Sequence, residues 1–309
     1  MYKRINVSTE KKHKYLQRSI FKRYLNFKKR LGSKNRKKRL IRPDPRFILR
    51  VIYFLEKRER FALSTVILTA GVLVTQLIWQ DVRFAMVIFL SLASYILTAW
   101  SLREDIKGNE WLLLFILPVL FTASLSMFYF LLPARMIIRL TTSVIFAVGT
   151  YAILLIENIY NVAAQRSIQL LRAAQSIGLL LTLTVIFLSA NIIYSLRLGF
   201  MSNALILTLL SFFLGLQSLW SVKPESRFSQ RFFIHALVIA FGVGELSLAL
   251  SFWPIENASY SLLIAAAYYS LVGIIQQHFN ERLFFNVVRE YMLVFFFTFL
   301  LTFLTTRWG

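Results

Sequence analysis

Residues 232–253 read FFIHALVIAFGVGELSLALSFW, and this stretch decides the fold class. Its 22 residues include one carboxylic acid, Glu245, and one histidine, His235. About 20 mostly apolar residues are enough to cross the hydrocarbon core of a bilayer as an α-helix. The stretch therefore predicts a transmembrane helix.

Eight other stretches have the same apolar character. Very short polar breaks, such as 80–83 and 254–257, separate some of them, and such breaks require antiparallel neighbours. We therefore predict an all-α, polytopic transmembrane helix bundle of about nine spans, with eight or ten also compatible with the pattern. The predicted spans are 61–79, 84–100, 111–131, 136–156, 176–196, 204–222, 232–253, 258–277 and 287–305.

The composition agrees with this fold class. Hydrophobic residues make up 57% of the 309 residues, and the mean hydropathy is +0.62. Ordinary globular domains contain about 45–50% apolar residues. A soluble fold has too little interior for so much apolar surface, whereas lipid can cover the outside of a membrane bundle.

The positive charge is concentrated before the first span. Residues 1–60 hold 22 of the 36 Lys and Arg and four acids, a net charge of +18, so the remaining residues carry only +4 of the total +22. We divide the chain into a basic cytoplasmic arm (1–46), an interfacial amphipathic helix (47–60) and a transmembrane domain (61–309). The arm is too charged to fold alone and is expected to be disordered.

Lysine and arginine placement predicts the orientation. Cytoplasmic connections of membrane proteins carry an excess of these residues. Placing the basic arm inside gives the best agreement with this rule and puts the C-terminus outside when the span count is nine. All six tryptophans also fall at predicted span ends, as expected for side chains that prefer the membrane–water interface.

The basic arm contains two clusters that suit anionic partners. Positive residues near a membrane surface attract anionic lipid, and the same charges attract nucleic acid by counterion release. We expect anionic headgroups to be the main partner of the arm, and nucleic acid to be less favoured. The alternative is that the arm only fixes the membrane topology and has no specific partner. The clusters are Lys28, Lys29, Arg30, Arg36, Lys37, Lys38 and Arg39.

Glu245 is the only acid that these boundaries place deep inside a span. A charge at that depth is costly, so the carboxyl is expected to be protonated or to face a polar cavity. The following span returns after a four-residue turn, which suggests Tyr268 or Tyr269 as a hydrogen-bond partner. His235 lies ten residues before Glu245, about 15 Å along a helix, so the two cannot form a pair on that helix.

The connection after the fourth predicted span, ENIYNVAAQRSIQLLRAAQS (157–176), has polar residues at helical spacing. This stripe predicts either a helix on the inner membrane surface or the lining of a cavity. Its members are Asn158, Asn161, Gln165, Gln169, Arg172 and Ser176.

The same segment, continued by IGLLLTLTVIFL (177–188), resembles a segment of uncharacterised bacterial polytopic membrane proteins of unknown function. The resemblance implies a bacterial protein of the cell (inner) membrane and assigns no activity.

The function classes can be ranked from these features. The sequence contains no metalloprotease, nucleotide-binding or serine hydrolase motif, and it has no cysteine. We therefore predict that the protein is not an enzyme and has no metal site and no cofactor. The favoured hypothesis is a transporter or lipid-handling protein with a buried carboxyl. The alternative is a membrane anchor or scaffold that acts through its polybasic arm on anionic lipid or nucleic acid.

The scaffold hypothesis predicts that residues 1–60 alone bind anionic vesicles and that binding weakens steeply as salt is added, because salt screens exposed charges. Vesicle co-sedimentation at increasing salt measures this. Equal binding to neutral vesicles, or binding that salt leaves unchanged, would contradict it.

Overall fold

The computed structural model describes residues 56–75, 82–103, 111–133, 135–163, 169–224 and 230–306. These residues form ten α-helices and no strand. The helices are α1 (Lys57–Thr75), α2 (Arg83–Leu102), α3 (Trp111–Leu114), α4 (Ile116–Tyr129), α5 (Met136–Ala163), α6 (Leu171–Ser195), α7 (Phe200–Trp220), α8 (Gln230–Leu250), α9 (Asn257–Phe279) and α10 (Phe285–Thr305).

The predicted all-α bundle is confirmed. Eight helical segments in the described residues are long and apolar enough to cross a membrane, and one of them, Leu112–Tyr129, combines α3 and α4. Helix α1 is not among these eight and corresponds to the first predicted span, 61–79, of which only 61–75 are described. The eight segments make this a membrane-spanning bundle by length and composition.

Helix α6 lies at the centre of the bundle. It packs against α4, α5, α7 and α9, while α7 and α8 form the most extensive helix pair. Helix α10 is peripheral, since only Thr298 and Thr302 are buried along its length. The exposed side chains are largely apolar, for example Phe89, Val148 and Phe241. This is the inverse of a soluble surface and suits contact with lipid.

Small residues allow the helices to approach closely. Gly149 of α5 lies against the ring of Phe121 from α4, and Gly244 of α8 lies against the side chain of Thr208 from α7. Without a hydrophobic driving force between helices in lipid, such close packing supplies much of the association energy.

Hydroxyl groups join the helices at several levels. Hydrogen bonds link Ser64 with Ser101 at 2.9 Å and Ser124 with Ser189 at 2.7 Å. The Tyr260 hydroxyl meets Ser247 at 2.7 Å and so fixes the register of α8 and α9. Interhelical bonds of this kind contribute about 0.6 kcal/mol each on average in membrane proteins.

One of the six tryptophans, Trp220, is enclosed by protein at the end of its helix. Trp220 closes α7 with only 1% of its surface exposed. Its ring packs edge-on against Tyr160, with the centroids 6.5 Å apart. Trp220 therefore lies inside the bundle, because α5 continues past its predicted end and covers it.

The predicted basic arm (1–46) and most of the predicted interfacial helix (47–60) lie outside the described residues. Helix α1 begins at Lys57 and continues without a break through Phe61. The proposed boundary at residue 60 therefore falls inside a helix.

Replacing Gly149 by Ala is expected to destabilise the protein by about 1–3 kcal/mol, because the new methyl group would overlap the buried Phe121 ring. Gly215→Ala is the matched control. Gly215 is also a buried helical glycine, but a Cβ there would meet Ile239 at an ordinary 3.5 Å. Thermal unfolding in detergent measures both, and equal midpoints for the two variants would contradict the packing argument.

Candidate functional site

Helix α5 continues beyond the predicted end of the fourth span and carries an acid into the interior. Its 28 residues, Met136–Ala163, span about 42 Å at 1.5 Å per residue. Glu157 lies six residues before the end, about 9 Å along the helix axis. Its side chain is 0% exposed, so this carboxyl lies wholly within the bundle.

The carboxyl of Glu157 has one hydrogen-bond partner in the described part of the chain. The amide nitrogen of Gln217, on α7, donates to Oε1 of Glu157. The second carboxyl oxygen, Oε2, and the amide oxygen of Gln217 are both buried without a partner there. A buried polar atom without a partner is costly, so two hydrogen-bonding positions at this contact are open to a donor.

Asparagines on the same helix add further polar groups. Asn161 lies one turn after Glu157, is 0% exposed, and has no partner among the described residues for either end of its amide. The amide oxygen of Asn158 is also buried without one. Residues four apart lie on one helix face, so Glu157 and Asn161 extend along the same side of α5.

A tyrosine links this face of α5 to α6. The hydroxyl of Tyr160 donates to the backbone carbonyl of Ala174 at 3.0 Å. Gly178 lies directly beneath this hydroxyl, where any Cβ would overlap it. The contact between α5 and α6 therefore requires glycine at position 178.

Two glutamines satisfy backbone carbonyls at the end of α7. Gln175 donates to the carbonyl oxygens of Ser221 and Val222, at 2.8 and 3.1 Å. Gln276 donates to the carbonyl of Ser218 at 2.9 Å. The last carbonyls of a helix lack partners within the helix, so these amides act as caps from α6 and α9.

We call this set of side chains the polar cluster. Part of it lines a small, partly open cavity of about 10 Å³, to which Tyr160, Gln175, Gln217, Ser218 and Gln276 contribute. A volume of this size holds about one water molecule. The members of the polar cluster are Glu157, Tyr160, Asn161, Gln175, Gln217, Ser218, Tyr268 and Gln276.

Glu245 lies elsewhere, on the outside of the bundle. It is exposed on α8, on the side that carries the exposed apolar residues Val238 and Phe241. Glu157 also lies within a membrane-length helix, α5, and it is this acid, not Glu245, that the bundle buries. Periodicity does not show which face of an all-apolar helix is inward, so the sequence left this choice open.

The tyrosines suggested for Glu245 have other partners. Tyr268 is fully buried and its hydroxyl shares a 3.3 Å hydrogen bond with Ser218, while Tyr269 packs against Tyr291 with centroids 5.2 Å apart. The bond between Ser247 and Tyr260 sets the helix register. In that register Tyr268 lies about six residues, or about 9 Å, from the level of Glu245.

His235 is held at the end of the bundle where α8 begins. Its Nδ1 lies 2.8 Å from the backbone oxygen of Arg231. Its ring stacks on His278 with centroids 6.1 Å apart and contacts Phe279. The structure therefore brings the two histidines together and keeps His235 apart from Glu245.

The predicted amide stripe is divided between two helices. Asn158 and Asn161 belong to α5 and face inward, whereas Gln169 is exposed in the turn before α6 and Arg172 is exposed on its first turn. Gln165 and the basic clusters of the arm lie outside the described residues. One part of the stripe thus joins the polar cluster, and another lies toward the surface.

Sequence reasoning missed Glu157 and Gln217. The apolar run ends at residue 156, which assigns Glu157 to a connection. The available signal was the absence of Gly and Pro between 151 and 177, which lets a helix continue past the apolar run. Gln217 had no such signal, since its partner is set only by the packing of α5 on α7.

Comparisons with known proteins place the chain in a family without giving it an activity. A family model described as "Protein of unknown function (DUF5656)" matches residues 65–305. No curated protein matches the chain, and no solved structure matches it. Within the described residues, no group of three or more His, Cys, Asp or Glu is placed to hold a metal ion.

Replacing Gln217 by Leu is expected to destabilise the protein by about 1–3 kcal/mol, because Glu157 would lose its donor while remaining buried. The double variant Glu157→Leu with Gln217→Leu should recover much of that loss, since both polar partners are then removed together. Gln169→Leu, at an exposed position, is the control. Thermal unfolding in detergent measures all three, and a double variant no more stable than Gln217→Leu would contradict the pairing.

Proposed function

The chain belongs to the DUF5656 family, whose description assigns no activity. The buried groups of the bundle are therefore the best guide to its function. We propose that the protein is a membrane transport protein and that Glu157 is the carboxyl that binds and releases the coupling proton. The observation that carries this proposal is a wholly buried carboxyl with one oxygen lacking a partner among the described residues.

The cost of an acid at this position supports a functional role. Burying an ionisable group away from water is expensive, and such residues in membrane spans commonly mark ion or substrate pathways. A glutamine at 157 would have nearly the same shape and hydrogen-bonding capacity. What glutamate adds is the ability to gain and lose a proton.

The size of the cavity supports a proton over a larger solute at this point. About 10 Å³ has room for one water molecule, and an organic substrate would need several hundred Å³. The cavity lies beside Gln217, which bonds Glu157. Water in the cavity would reach Gln217, the residue that bonds the carboxyl.

The position of Glu157 along the membrane suits proton exchange with one side. The carboxyl is about 9 Å from the end of α5. The helix itself, about 42 Å long, exceeds the roughly 30 Å of a hydrocarbon core. A proton therefore has a short path to water at that end and a much longer one to the other, which is the asymmetry a transport cycle needs.

The basic arm gives the protein a second, separable role in this proposal. Its net charge of +18 over residues 1–60 favours docking on anionic lipid at the cytoplasmic face of the cell membrane, with nucleic acid a less favoured partner. In this arrangement the N-terminus is cytoplasmic and the polar cluster lies near the cytoplasmic side. We place transport above catalysis because the polar cluster combines one carboxyl with amides and hydroxyls, a set with no paired nucleophile and base.

Infrared difference spectroscopy of the protein in lipid vesicles tests the role of Glu157. A pH jump should produce a carboxyl band in the wild type that disappears in Glu157→Gln, because only the acid can change its protonation state. Glu245→Gln is the matched control, since it removes an acid of the same type from the lipid-facing side of α8.

The same variants should differ in proton uptake by proteoliposomes loaded with a pH-sensitive dye. Uptake driven by a membrane potential is expected to be lost in Glu157→Gln and kept in Glu245→Gln. If Glu157→Gln removes no band from the wild-type spectrum, the Glu157 carboxyl keeps one protonation state. Its proposed role in proton coupling would then be wrong.

A further inference from the structure

A second polar site lies at the opposite end of the bundle from the polar cluster. A cleft of about 520 Å³ opens where α6 ends and where α7 and α9 begin. Its volume falls within the range of small-molecule sites. Among the described residues that line it, Arg197 is the only charged one.

Two helices present their N-termini to this cleft. Phe200 and Asn257, the first residues of α7 and α9, both line it. Neither helix has a side-chain hydrogen bond capping its start. The first N–H groups of a helix have no partner within the helix and carry a partial positive charge. The cleft therefore combines two uncapped donor ends with a guanidinium group.

A buried asparagine provides independent evidence for a ligand. Asn203 lines the cleft with only 4% of its surface exposed. Its Oδ1 is buried and has no hydrogen-bond partner in the described part of the chain. An acceptor in this position is satisfied by a ligand that carries its own hydroxyl or ammonium donor.

We propose that this cleft binds a phosphate group of a polar ligand that also carries a hydrogen-bond donor. The guanidinium of Arg197 and the N–H groups at the starts of α7 and α9 hold the phosphate oxygens. Charge-assisted bonds from arginine to phosphate are among the strongest in proteins, and helix N-termini bind phosphate readily. Oδ1 of Asn203 accepts from the donor of the ligand.

The surroundings of the cleft favour a phospholipid headgroup as the source of that phosphate. Exposed apolar side chains flank it, including Leu198 at 40%, Phe200 at 48% and Phe252 at 71% exposed. The rings of Phe200 and Phe252 lie 5.4 Å apart. These side chains offer contact to acyl chains next to a polar site, the arrangement expected at the membrane–water boundary. A headgroup with a hydroxyl, such as phosphatidylglycerol, supplies both required groups.

One acid, Glu256, lies beside the cleft and provides a variant that should bind the anion more tightly. Glu256 is the N-cap residue of α9 and is exposed. Its carboxylate opposes a bound anion, so removing its charge should strengthen binding. The site shares no residue with the polar cluster and does not depend on the role of Glu157.

Native mass spectrometry of the full-length protein, titrated with short-chain phosphatidylglycerol, tests the proposal. Arg197→Gln is expected to weaken binding about tenfold or more, because a charge-assisted hydrogen bond is lost. Arg197→Lys should retain part of the affinity, and Glu256→Gln should increase it. Phosphatidylcholine, which lacks a hydroxyl donor, should bind more weakly than phosphatidylglycerol to the wild type.

Arg135→Gln is the matched control. It removes another exposed arginine from the same end of the bundle, in the connection between α4 and α5. Binding to the basic arm contributes equally to every variant, so the difference between Arg197→Gln and Arg135→Gln isolates the cleft. Unchanged thermal unfolding midpoints show that each variant is folded.

The two phosphate sources give different results. In one outcome, inorganic phosphate raises the unfolding midpoint of the wild type but not of Arg197→Gln, while the binding of short-chain lipid does not depend on Arg197. The site then binds soluble phosphate, and the proposal of a lipid headgroup is wrong. If Arg197→Gln and Arg135→Gln bind both probes alike, the site itself is overturned.

Discussion

Lipid offers no hydrogen bonds, and this constraint governs the whole bundle. A buried polar side chain must therefore find its partner within the protein, either on the backbone of its own helix, as Thr65 and Thr182 do, or on another helix. The serine and tyrosine pairs, such as Ser124 with Ser189 and Ser247 with Tyr260, satisfy the constraint. The contact between Glu157 and Gln217 does not satisfy it fully, nor do the amides of Asn161 and Asn203, and the contact differs from these amides in leaving a carboxyl oxygen without a partner among the described residues.

The two ends of the bundle have opposite chemical character. At one end, α5, α6, α7 and α9 gather a carboxyl and several amides around a very small cavity. At the other, Arg197 and the starts of α7 and α9 surround a cleft some fifty times larger in volume, about 520 against about 10 Å³. One end suits a proton or water and the other an anion. Helix α7 takes part in both, with its N-terminus at the cleft and Gln217 near its C-terminus.

The spans were predictable because apolar runs of about 20 residues have few alternative structures. The candidate site was predictable only in part. Asn158 and Asn161 are recognisable from their helical spacing, yet the same pattern assigns their neighbour Glu157 to a connection. Conversely, Glu245 stands out through its apolar sequence neighbours, which belong to the lipid-facing side of α8. In a helix that is apolar all round, the two faces have nearly the same composition, so the sequence does not identify the inward one.

The sequence by itself determined the fold class, the approximate spans and the separation of a basic arm from a hydrophobic body, because each follows from local composition. Only the tertiary structure decided which acid is buried, which glutamine meets it and where a cleft opens. Those outcomes depend on the register and rotation of helices that are far apart in the chain. Register and rotation are set by contacts such as Gly244 against Thr208 and Gly178 beneath Tyr160, which no local pattern encodes.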